Sequence, residues 1–469
     1  MLSEGLLDEL RGIVGAEDVL WKRADLQTYE YDGYVERSLP DAVVFVESTD
    51  EVASVVRLAH RENIPFLPRG CATNLTGATI AVRGGLVIEM ARMRRVVEID
   101  LANERMVVES GIYTEEISAI LEPLGYYYAP DPSSAKASSI GGNIAENAGG
   151  PHCFKYGVTL NHVIGAEVVL PHGEVVWLGG KAVDLPGFDL LGGFIGSEGT
   201  FGICTKAVLR ILRKAEAIKT LLAIYDSIDD AAKTVTAIVA AGMIPATLEM
   251  MDKLAIQAVE DSQALGFPRD AAAVLLIELD GLVDGLEDMA ADVLAMCRRN
   301  NAREVRAAGS EEERTALWKG RKGAVAAVAR LAPNFLLIDG TVPRTKLPDA
   351  LRKVYEIGDK YDLRIANVAH AGDGNLHPFV LFDSRISADK ELAMKAAMEI
   401  LAACVALGGT ITGEHGIGIE KMEAMSILFT ENDLRAQQWL KEVFDPVGLC
   451  NPGKVLPARV AVGGGAHAA

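Results

Sequence analysis

The chain has few cysteines, and none of them forms a recognisable pair. Its 469 residues include six cysteines, and no two of these stand in a Cys-x-x-Cys arrangement. Iron–sulfur clusters and zinc ribbons take their thiolate ligands from such closely spaced cysteines. The sequence therefore excludes both kinds of site within this chain, and a disulfide framework is not expected at this size and spacing.

Long apolar runs and an excess of positive charge are also missing. No uninterrupted apolar segment reaches the ~18 residues of a transmembrane helix, and the acidic beginning, MLSEGLLDELRGIVGAEDVL, lacks a signal-peptide pattern. We therefore expect a cytoplasmic protein, with attachment to a membrane through a partner left open. The net charge of −19 makes nucleic acid an unsuitable partner. An anionic substrate must be attracted by local cations.

The order of predicted elements divides the chain into two α+β domains. Residues 1–213 alternate short strands with helices, such as a strand at 42–48 and a helix at 50–63. Residues 217–308 predict strand, helix, strand, strand, helix and strand, which is the order of a ferredoxin-like layer. We predict that the second domain spans 214–457 and ends in a helical segment. The small, Gly-rich residues 458–469 predict a disordered tail.

Three segments of the first domain are rich in glycine and small hydroxyl residues. They are Pro68–Gly77, Pro130–Thr159 and Ile195–Ile203. Glycine lets the backbone approach an anion closely, with successive N–H groups turned toward it. Long loops inside compact domains are usually functional. None of the three is a Walker loop or a Rossmann fingerprint, and together they predict that the domain wraps a large, flat cofactor that carries phosphate.

These segments resemble those of the p-cresol methylhydroxylase/vanillyl-alcohol oxidase (PCMH/VAO) type of FAD-binding domain, which has two α+β subdomains. The resemblance implies that FAD is bound, with the first segment at its pyrophosphate. One departure is Ala72, where a glycine is common, and His152 and Cys153 are interpreted as packing residues without a covalent flavin link. The implied cofactor contacts are Pro68, Arg69, Gly70, Cys71, Ala72, Thr73, Asn74, Thr76, Gly77, Pro130, Ser133, Ser134, Ser139, Gly141, Gly142, Asn143, Ala145, Gly199, Gly202, Ile203 and Asn451.

Two segments in the second half combine histidine with glycine. The first, Ala369–Pro378, contains His370 and His377, and the second, Gly413–Gly418, contains Glu414 and His415. Neutral imidazoles with a carboxylate suit a divalent ion such as Zn²⁺ or Mn²⁺. A sharp loop at the glycines between the first two histidines would turn both inward. From spacing alone, a core histidine satisfied by its neighbours is the ordinary alternative for each of them.

Both segments, and the closing FDPVGLCNPGKVLP at 444–457, resemble the group of FAD-linked oxidases that includes glycolate oxidase subunit GlcD, D-lactate dehydrogenase and D-2-hydroxyglutarate dehydrogenase. The resemblance covers nearly the whole chain. It implies oxidation of a small D-2-hydroxy acid such as glycolate or D-lactate, with FAD as hydride acceptor and a metal polarising the hydroxyl. The implied metal ligands are His370, His377 and Glu414, and His415 is the implied base. Asn375, beside the ligands, is interpreted as a hydrogen-bonding partner of the substrate.

The carboxylate of such a substrate requires a fork of donors, which a guanidinium provides. Arg321, in the sequence WKGRKG, is the first candidate, and the resemblance places a substrate-binding arginine in a similar context. Arg344, in DGTVPR, is the second candidate. A surface salt bridge is the alternative interpretation of both arginines.

The electrons must leave the flavin, and the chain contains no cluster or haem motif. We therefore expect a separate acceptor, which could be an iron–sulfur subunit, an electron-transfer flavoprotein or a quinone-linked partner. A D-2-hydroxyglutarate-type dehydrogenase, an oxidase that uses O₂ and a non-catalytic FAD subunit of a larger complex are the alternatives. The joint presence of the three histidines and Glu414 argues against the last. The sequence does not decide which 2-hydroxy acid is the substrate or which metal is bound. It also leaves the oligomeric state open, and a homodimer is one possibility.

Overall fold

The computed structural model describes residues 2–182 and 186–457, which divide into two units. As far as the chain is described, the first unit takes in Met1–Gly149, Gly157–Lys214 and Glu414–Ala469. The second takes in Gly150–Tyr156 and Ala215–Gly413. The chain therefore returns to the first unit at Glu414. The tail predicted at 458–469 lies outside the described residues.

The strands are numbered in chain order. They are β1 (Val19–Leu20), β2 (Ala42–Phe45), β3 (Phe66–Arg69), β4 (Leu86–Glu89), β5 (Val96–Asp100), β6 (Arg105–Glu109), β7 (Tyr126–Tyr127), β8 (Val163–Val169), β9 (Val175–Gly179), β10 (Ile203–Arg210), β11 (Leu212–Arg213), β12 (Ala217–Tyr225), β13 (Thr247–Asp252), β14 (Ala273–Gly281), β15 (Glu304–Ala307), β16 (Asn334–Leu337), β17 (Gly340–Thr341), β18 (Ile365–His370) and β19 (Asn375–Phe382).

The helices are numbered in the same way. They are α1 (Glu4–Val14), α2 (Arg23–Leu26), α3 (Thr49–Arg61), α4 (Thr114–Leu121), α5 (Ile140–Glu146), α6 (Cys153–Tyr156), α7 (Leu190–Phe194), α8 (Ile228–Ala240), α9 (Lys253–Gln263), α10 (Leu286–Arg299), α11 (Glu311–Val328), α12 (Leu347–Tyr361), α13 (Ser387–Ala406), α14 (Met425–Leu428) and α15 (Glu431–Phe444). Short 3-10 turns occupy Ala16–Asp18, Gln27–Tyr29, Leu101–Asn103, Glu122–Leu124, Thr159–Asn161 and Arg344–Lys346.

The first unit contains two main sheets. One has the strand order β1–β2–β4–β3, in which β2 and β3 both run parallel to β4, and the other is antiparallel with the order β5–β6–β10–β8–β9. Helix α3 follows β2, begins where the Ser48 side chain accepts the Glu51 amide, and buries Val52, Val55, Val56 and Ala59. That spacing is the apolar stripe of a helix packed on a core, and it confirms the strand and helix predicted at 42–48 and 50–63.

The second unit is built on one large sheet with the strand order β15–β12–β14–β13–β18–β19–β16, and β17 also pairs with β19. Its first four strands have the arrangement of a ferredoxin-like layer, as predicted. Two features were not predicted. Helix α9 separates β13 from β14, and strands β16–β19 extend the layer where helices and loops were expected.

Strand residues of the second unit alternate between two cores. One face packs Leu248, Met250 and Leu275 against helices α8, α10 and α12. The opposite face packs Met251 and Val274 against α9 and α11. Because side chains alternate along a strand, Glu249 and Glu278 lie on the face covered by α9 and α11. Among the described helices, none is both long and apolar enough to cross a membrane.

Candidate active site

The first two glycine-rich segments pack together without space for side chains. A Cβ atom at Gly70 would lie 2.2 Å from Oγ of Ser139, and one at Gly141 would lie 2.8 Å from Cβ of Ser110. Ser139 caps α5 by accepting the amide of Gly142 at 3.3 Å. The backbone at Gly70 and Gly141 therefore packs closely against neighbouring residues, an approach that glycine permits because it has no Cβ.

The residue that departs from the common pattern adopts a conformation that favours glycine. Ala72 has a φ of 51°, in the left-handed region. A residue with a Cβ pays about 1–2 kcal/mol for that conformation. The preference for glycine at this position of the first segment therefore has a backbone cause.

Asn451 joins the third segment to Ala78, the residue that follows the first segment. The side-chain amide of Asn451 donates to the carbonyls of Ala78, at 2.9 Å, and Glu198, at 2.8 Å. Gly199 has a φ of +68°, and a Cβ there would meet Pro68 at 2.9 Å, while Gly202 leads directly into Ile203 and β10. The predicted contact residues of both segments thus lie in one unit, with Asn451 bonded to the backbone of the third segment and of Ala78.

Some of the other predicted cofactor residues contact further residues of this chain. The buried Arg69 guanidinium donates to the carbonyl of Tyr31 at 2.9 Å and lies 4.0 Å from Glu89. Burial raises the pKa of Glu89 to about 7, against the opposing pull of Arg69. In the second segment, Ser133 is exposed. The remaining predicted contacts of the first unit occupy the loop after β3 and helix α5 with the loop before it; they are Cys71, Thr73, Asn74, Thr76, Gly77, Pro130, Ser134, Asn143 and Ala145.

The loop that carries Glu414 and His415 is anchored to the first and third segments. Both oxygens of the Glu198 carboxylate accept backbone amides, from Ile417 and from Gly418, each at 2.6 Å. The carbonyl of Thr76 accepts the amide of Ile419 at 2.8 Å. Sequence reasoning missed Glu198, although it lies inside a segment that was singled out. The loop of the predicted base is therefore built into the predicted flavin-binding unit.

A second buried carboxylate lies at the same loop. A Cβ at Gly416 would be 2.7 Å from Oε2 of Glu146 and 2.8 Å from Oε1 of Glu198. Burial, followed by repulsion from Glu198, raises the pKa of Glu146 well above its usual value. Nε2 of His415 lies 3.8 Å from Oε1 of Glu414. Lys421 is buried at the same loop and donates to the carbonyl of Gly416 at 3.1 Å, so the surroundings of His415 in this unit combine carboxyl groups with a buried cation.

The other two histidines lie on a hairpin of the second unit. His370 ends β18 and His377 lies in β19, so a hairpin holds them, and the predicted sharp loop is the turn between the strands. The strand register pairs His370 with Asn375 on one side and with Glu249 of β13 on the other. Asn375 in turn pairs with Thr341 of β17. A row of four polar side chains therefore crosses four strands on the face under α11.

The two histidine rings are close to each other and to carboxylates. Their centroids are 5.1 Å apart with perpendicular planes, and one ring nitrogen of each lies within 4.8 Å of the other. Nδ1 of His370 is 2.8 and 2.9 Å from the two carboxylate oxygens of Glu249. Nδ1 of His377 is 3.8 Å from Oδ1 of Asp339. With Nδ1 of His370 at hydrogen-bond distance from a carboxylate, Nε2 is the nitrogen through which that ring would bind an ion.

The predicted substrate arginine also reaches this row. Arg321 of α11 forms a buried ion pair with Glu249, and its guanidinium lies 3.4 Å from Nδ1 of His370. Burial opposes the ionisation of Glu249, but the charge of Arg321 and the contact with His370 outweigh it and lower the pKa of Glu249.

Three buried polar atoms at the row have no hydrogen-bond partner among the described residues. They are Nε of Arg321, Oδ1 of Asn375 and Oγ1 of Thr341. Buried polar atoms are nearly always paired, so such a group indicates a site where a bound polar ligand would complete the hydrogen bonding.

The end of the row is closed by backbone. A Cβ at Gly413 would lie 2.4 Å from Nδ2 of Asn375 and 2.5 Å from Oγ1 of Thr341. The amide of Gly413 donates to Asp339 at 2.9 Å. Glu414 is the next residue in the chain, but it belongs to the first unit together with His415. The six predicted catalytic and metal residues discussed so far are thus divided between the two units.

The second arginine candidate braces the hairpin turn. Nε of Arg344 donates to the carbonyl of Gly372 at 2.5 Å, and its guanidinium lies 4.9 Å from the ring centre of Phe154. Phe154 belongs to the short segment that joins the second unit. Arg344 is thus bonded to the protein through Nε.

A second carboxylate on the same sheet face has a different set of partners. Glu278 accepts hydrogen bonds from Arg314, Trp318 and Thr220. His152 stacks on the ring of Trp318 with centroids 5.7 Å apart, which agrees with its interpretation as a packing residue. Burial opposes ionisation, but the contacts from His152, Arg314, Thr220 and Trp318 outweigh it and lower the pKa of Glu278.

Known proteins resemble this chain along nearly its whole length. Residues 40–179 match the family described as FAD binding domain, and residues 214–455 match FAD linked oxidases, C-terminal domain. Glycolate oxidase subunit GlcD of Bacillus subtilis is 42% identical over 457 residues, covering 97% of each chain. That of Escherichia coli K12 is 41% identical over 465 residues, covering 98% of this chain and 93% of its own. D-lactate dehydrogenase of Anaerostipes hadrus is 32% identical, covering 89% and 90%.

Solved structures confirm the predicted fold class. p-Cresol methylhydroxylase with substrate bound superimposes with a TM-score of 0.80 at 15% identity, covering 98% of each chain. The 4-ethylphenol oxidase from Gulosibacter chungangensis gives a TM-score of 0.75 at 18% identity, covering 97% of this chain and 98% of its own. At these identities the likeness establishes the fold alone.

Proposed function

Because the chain belongs to the family of FAD-linked oxidases, we propose that it oxidises a small D-2-hydroxy acid, glycolate or D-lactate, to the 2-oxo acid. The family makes it an FAD-linked oxidoreductase. The names of its relatives, glycolate oxidase subunit and D-lactate dehydrogenase, support this substrate class. In the proposal, residues 1–213 form the FAD-binding domain and residues 214–457 form the substrate domain.

The group of buried atoms without partners carries the proposal. Arg321 offers a buried N–H at Nε, and Asn375 and Thr341 offer acceptor atoms on neighbouring strands. A small molecule with one carboxylate and one hydroxyl would satisfy such a set. Arg321 would hold the carboxylate, because a guanidinium binds it more strongly than a neutral donor. We keep Arg344 as the second candidate, since only its Nε is bonded to the carbonyl of Gly372.

The residues of the first unit fit FAD. Gly70 and Gly141 stand where a Cβ would collide with Ser139 and Ser110, and residues without a side chain also let backbone N–H groups approach a phosphate. FAD, when bound, supplies the two-electron acceptor for the α-hydrogen of the substrate. The chain's own task here is to hold the cofactor in a fixed place and to keep His415 on a loop bonded to the same segments through Glu198 and Thr76.

The histidines and Glu414 fit a divalent ion. Two imidazoles, of which His370 has its Nδ1 held by the Glu249 carboxylate, make with a further carboxylate a donor set that suits Zn²⁺ or Mn²⁺. We propose His370, His377 and Glu414 as the ligands. The ion would lower the pKa of the substrate hydroxyl. His415 would take the hydroxyl proton on its imidazole, and Asn375 would donate to or accept from the substrate.

The electron acceptor is proposed to be a separate protein. Curated relatives carry the word subunit in their names, which supports an assembly with further chains. An iron–sulfur subunit, an electron-transfer flavoprotein or a quinone-linked partner would each serve.

A dye-coupled assay with a panel of acids tests the proposal. We expect reduction of an artificial acceptor with glycolate or D-lactate, and none with L-lactate. An Arg321→Lys variant is expected to raise KM at least tenfold, since a bidentate grip is lost; an unchanged KM would transfer the role to Arg344. A preference for D-2-hydroxyglutarate would contradict the proposed substrate size, and a preference for L-lactate would contradict the proposed stereochemistry.

A further inference from the structure

Glu249 is the direct cross-strand neighbour of His370. The register of β13 and β18 pairs the two residues, and both lie on the sheet face covered by α11. Both carboxylate oxygens are within 2.9 Å of Nδ1 of His370. Only 1% of Glu249 is exposed, so water does not compete for these contacts. Nothing in the sequence pattern singles out this glutamate.

A carboxylate at Nδ1 determines how the imidazole presents its other nitrogen. It keeps the single proton of the neutral ring on Nδ1, so the lone pair resides on Nε2, and it makes that nitrogen a stronger donor. We propose that Glu249 is a positioning residue that fixes the tautomer and orientation of His370 for metal binding. The inference rests on the metal role assigned to His370 above.

Glu249 also connects the ligand to the substrate anchor. The same carboxylate forms an ion pair with Arg321, whose guanidinium lies 3.4 Å from Nδ1 of His370. One buried anion therefore holds the proposed metal ligand and the proposed carboxylate-binding group against each other. Because the pair is buried on a sheet and a long helix, the distance between the two groups is fixed by the fold.

A purely structural ion pair is the competing explanation, and the chain offers a matched control for it. Glu278 lies on the adjacent strand and on the same face, and it binds Arg314 and Trp318 of the same helix. It is as buried as Glu249, at 1% exposure. It contacts neither His370 nor His377. Loss of either carboxylate should disturb the attachment of α11, but only the loss of Glu249 should alter metal binding.

The test measures metal affinity in the full-length, FAD-loaded protein after removal of metal by a chelator. Zn²⁺ affinity is obtained by competition with a chromophoric chelator, and the visible spectrum of bound Co²⁺ reports the ligand geometry. We expect Glu249→Gln to weaken Zn²⁺ binding 10- to 100-fold and to shift the Co²⁺ bands. Glu278→Gln should stay within about twofold of the parent, with parental bands. Equal affinity in the parent and in Glu249→Gln would overturn the inference.

Two further outcomes are decisive. If Glu249→Gln does not fold, Glu249→Asp replaces it, because the shorter side chain keeps the charge beside Arg321 but withdraws from the ring. Weakened Zn²⁺ binding in Glu249→Asp supports the inference, and parental affinity with parental Co²⁺ bands overturns it. If the parent protein binds neither Zn²⁺ nor Co²⁺, the proposed metal role fails and the inference fails with it. Metal binding by both the parent and the Glu249 variant with the same affinity, by contrast, would overturn only the role of Glu249.

Discussion

The two units of the chain build their proposed sites mainly from different groups, the first from backbone and the second from side chains. The first unit uses backbone: glycines stand where a Cβ would collide, and carbonyls and amides connect the segments, as at Gly70 and Asn451. The second unit uses buried charged side chains on a sheet face, where Glu249 and Glu278 each bind an arginine of α11. The first unit also buries carboxyl groups, but that of Glu198 serves to accept the backbone amides of Ile417 and Gly418. Buried ionised side chains hold a small polar substrate and are costly to disturb singly.

The largest effect should come from the base on the first unit's loop. His415→Asn is expected to lower turnover roughly 10²- to 10⁴-fold, the usual contribution of a general base, while the flavin spectrum stays unchanged. Steady-state kinetics and the flavin-to-protein ratio check this. His172→Asn is the matched control, because His172 lies exposed in the turn between β8 and β9. Parental turnover in His415→Asn would contradict the assignment of His415 as the base.

The next effect belongs to the charged region and depends on pH. Glu278→Gln leaves Arg314 without its buried anion and should destabilise the fold by about 2–3 kcal/mol at pH 7. Because the folded state lowers the pKa of Glu278, its contribution is complete above the ordinary carboxyl value. It is lost as the pH falls through the lower, folded value. Thermal unfolding should therefore separate parent and variant at pH 7 and bring them together at strongly acidic pH. A constant difference at all pH values would contradict the ionised state of Glu278.

The backbone region should respond to a single methyl group. Gly141→Ala places a Cβ 2.8 Å from Ser110, and such overpacking costs about 1–3 kcal/mol. We expect FAD affinity to fall by tenfold or more, measured by release of flavin on dilution. Gly193→Ala is the control, since no atom in the described part of the chain lies within 4 Å of a Cβ at that position of α7. Equal flavin retention in both variants would show that close backbone packing is not what holds the cofactor.

The smallest effect concerns two alanines in the same strained conformation. Ala72, in the first segment, and Ala264, at the end of α9, both have a φ of 51°. Glycine relieves the strain but adds chain entropy, so each Ala→Gly change should stabilise by about 0.5 kcal/mol net. Only Ala72→Gly should also change flavin affinity. Differential scanning calorimetry and flavin release together test this, and an equal effect of both variants on flavin would contradict it.

The two regions also differ in how far the sequence predicts them. Glycine-rich segments are local patterns, so the three loops and their residues, such as Gly70 and Gly141, could be recognised directly. Glu249 could not, because its role depends on a strand pairing with His370, 121 residues away. Glu278 could not either, because its partners Arg314 and Thr220 lie 36 and 58 residues away on other elements. The histidine segment was found, but its placement on β18 and β19 was not, since short apolar runs do not distinguish strands from helices.

Helix α9 and the anchor Glu198 illustrate the same limit. The segment that forms α9 follows β13 directly, so its apolar residues merge with the strand pattern. Glu198 was visible within a singled-out segment, but a lone glutamate carries no signal of the amides of Ile417 and Gly418 that it will accept. Contacts between distant parts of the chain determine both features.

Anaerobic reduction of the bound flavin tests whether the protein oxidises a D-2-hydroxy acid and whether a metal is needed. The FAD-loaded protein is mixed without oxygen with glycolate, D-lactate or L-lactate, before and after chelation and after return of Zn²⁺ or Mn²⁺. We expect glycolate or D-lactate to bleach the flavin and L-lactate to leave it oxidised. Bleaching should stop with the chelator and return with the metal. A yellow protein that no 2-hydroxy acid bleaches would contradict the proposed reaction, and bleaching that is indifferent to chelation would contradict the proposed role of the metal.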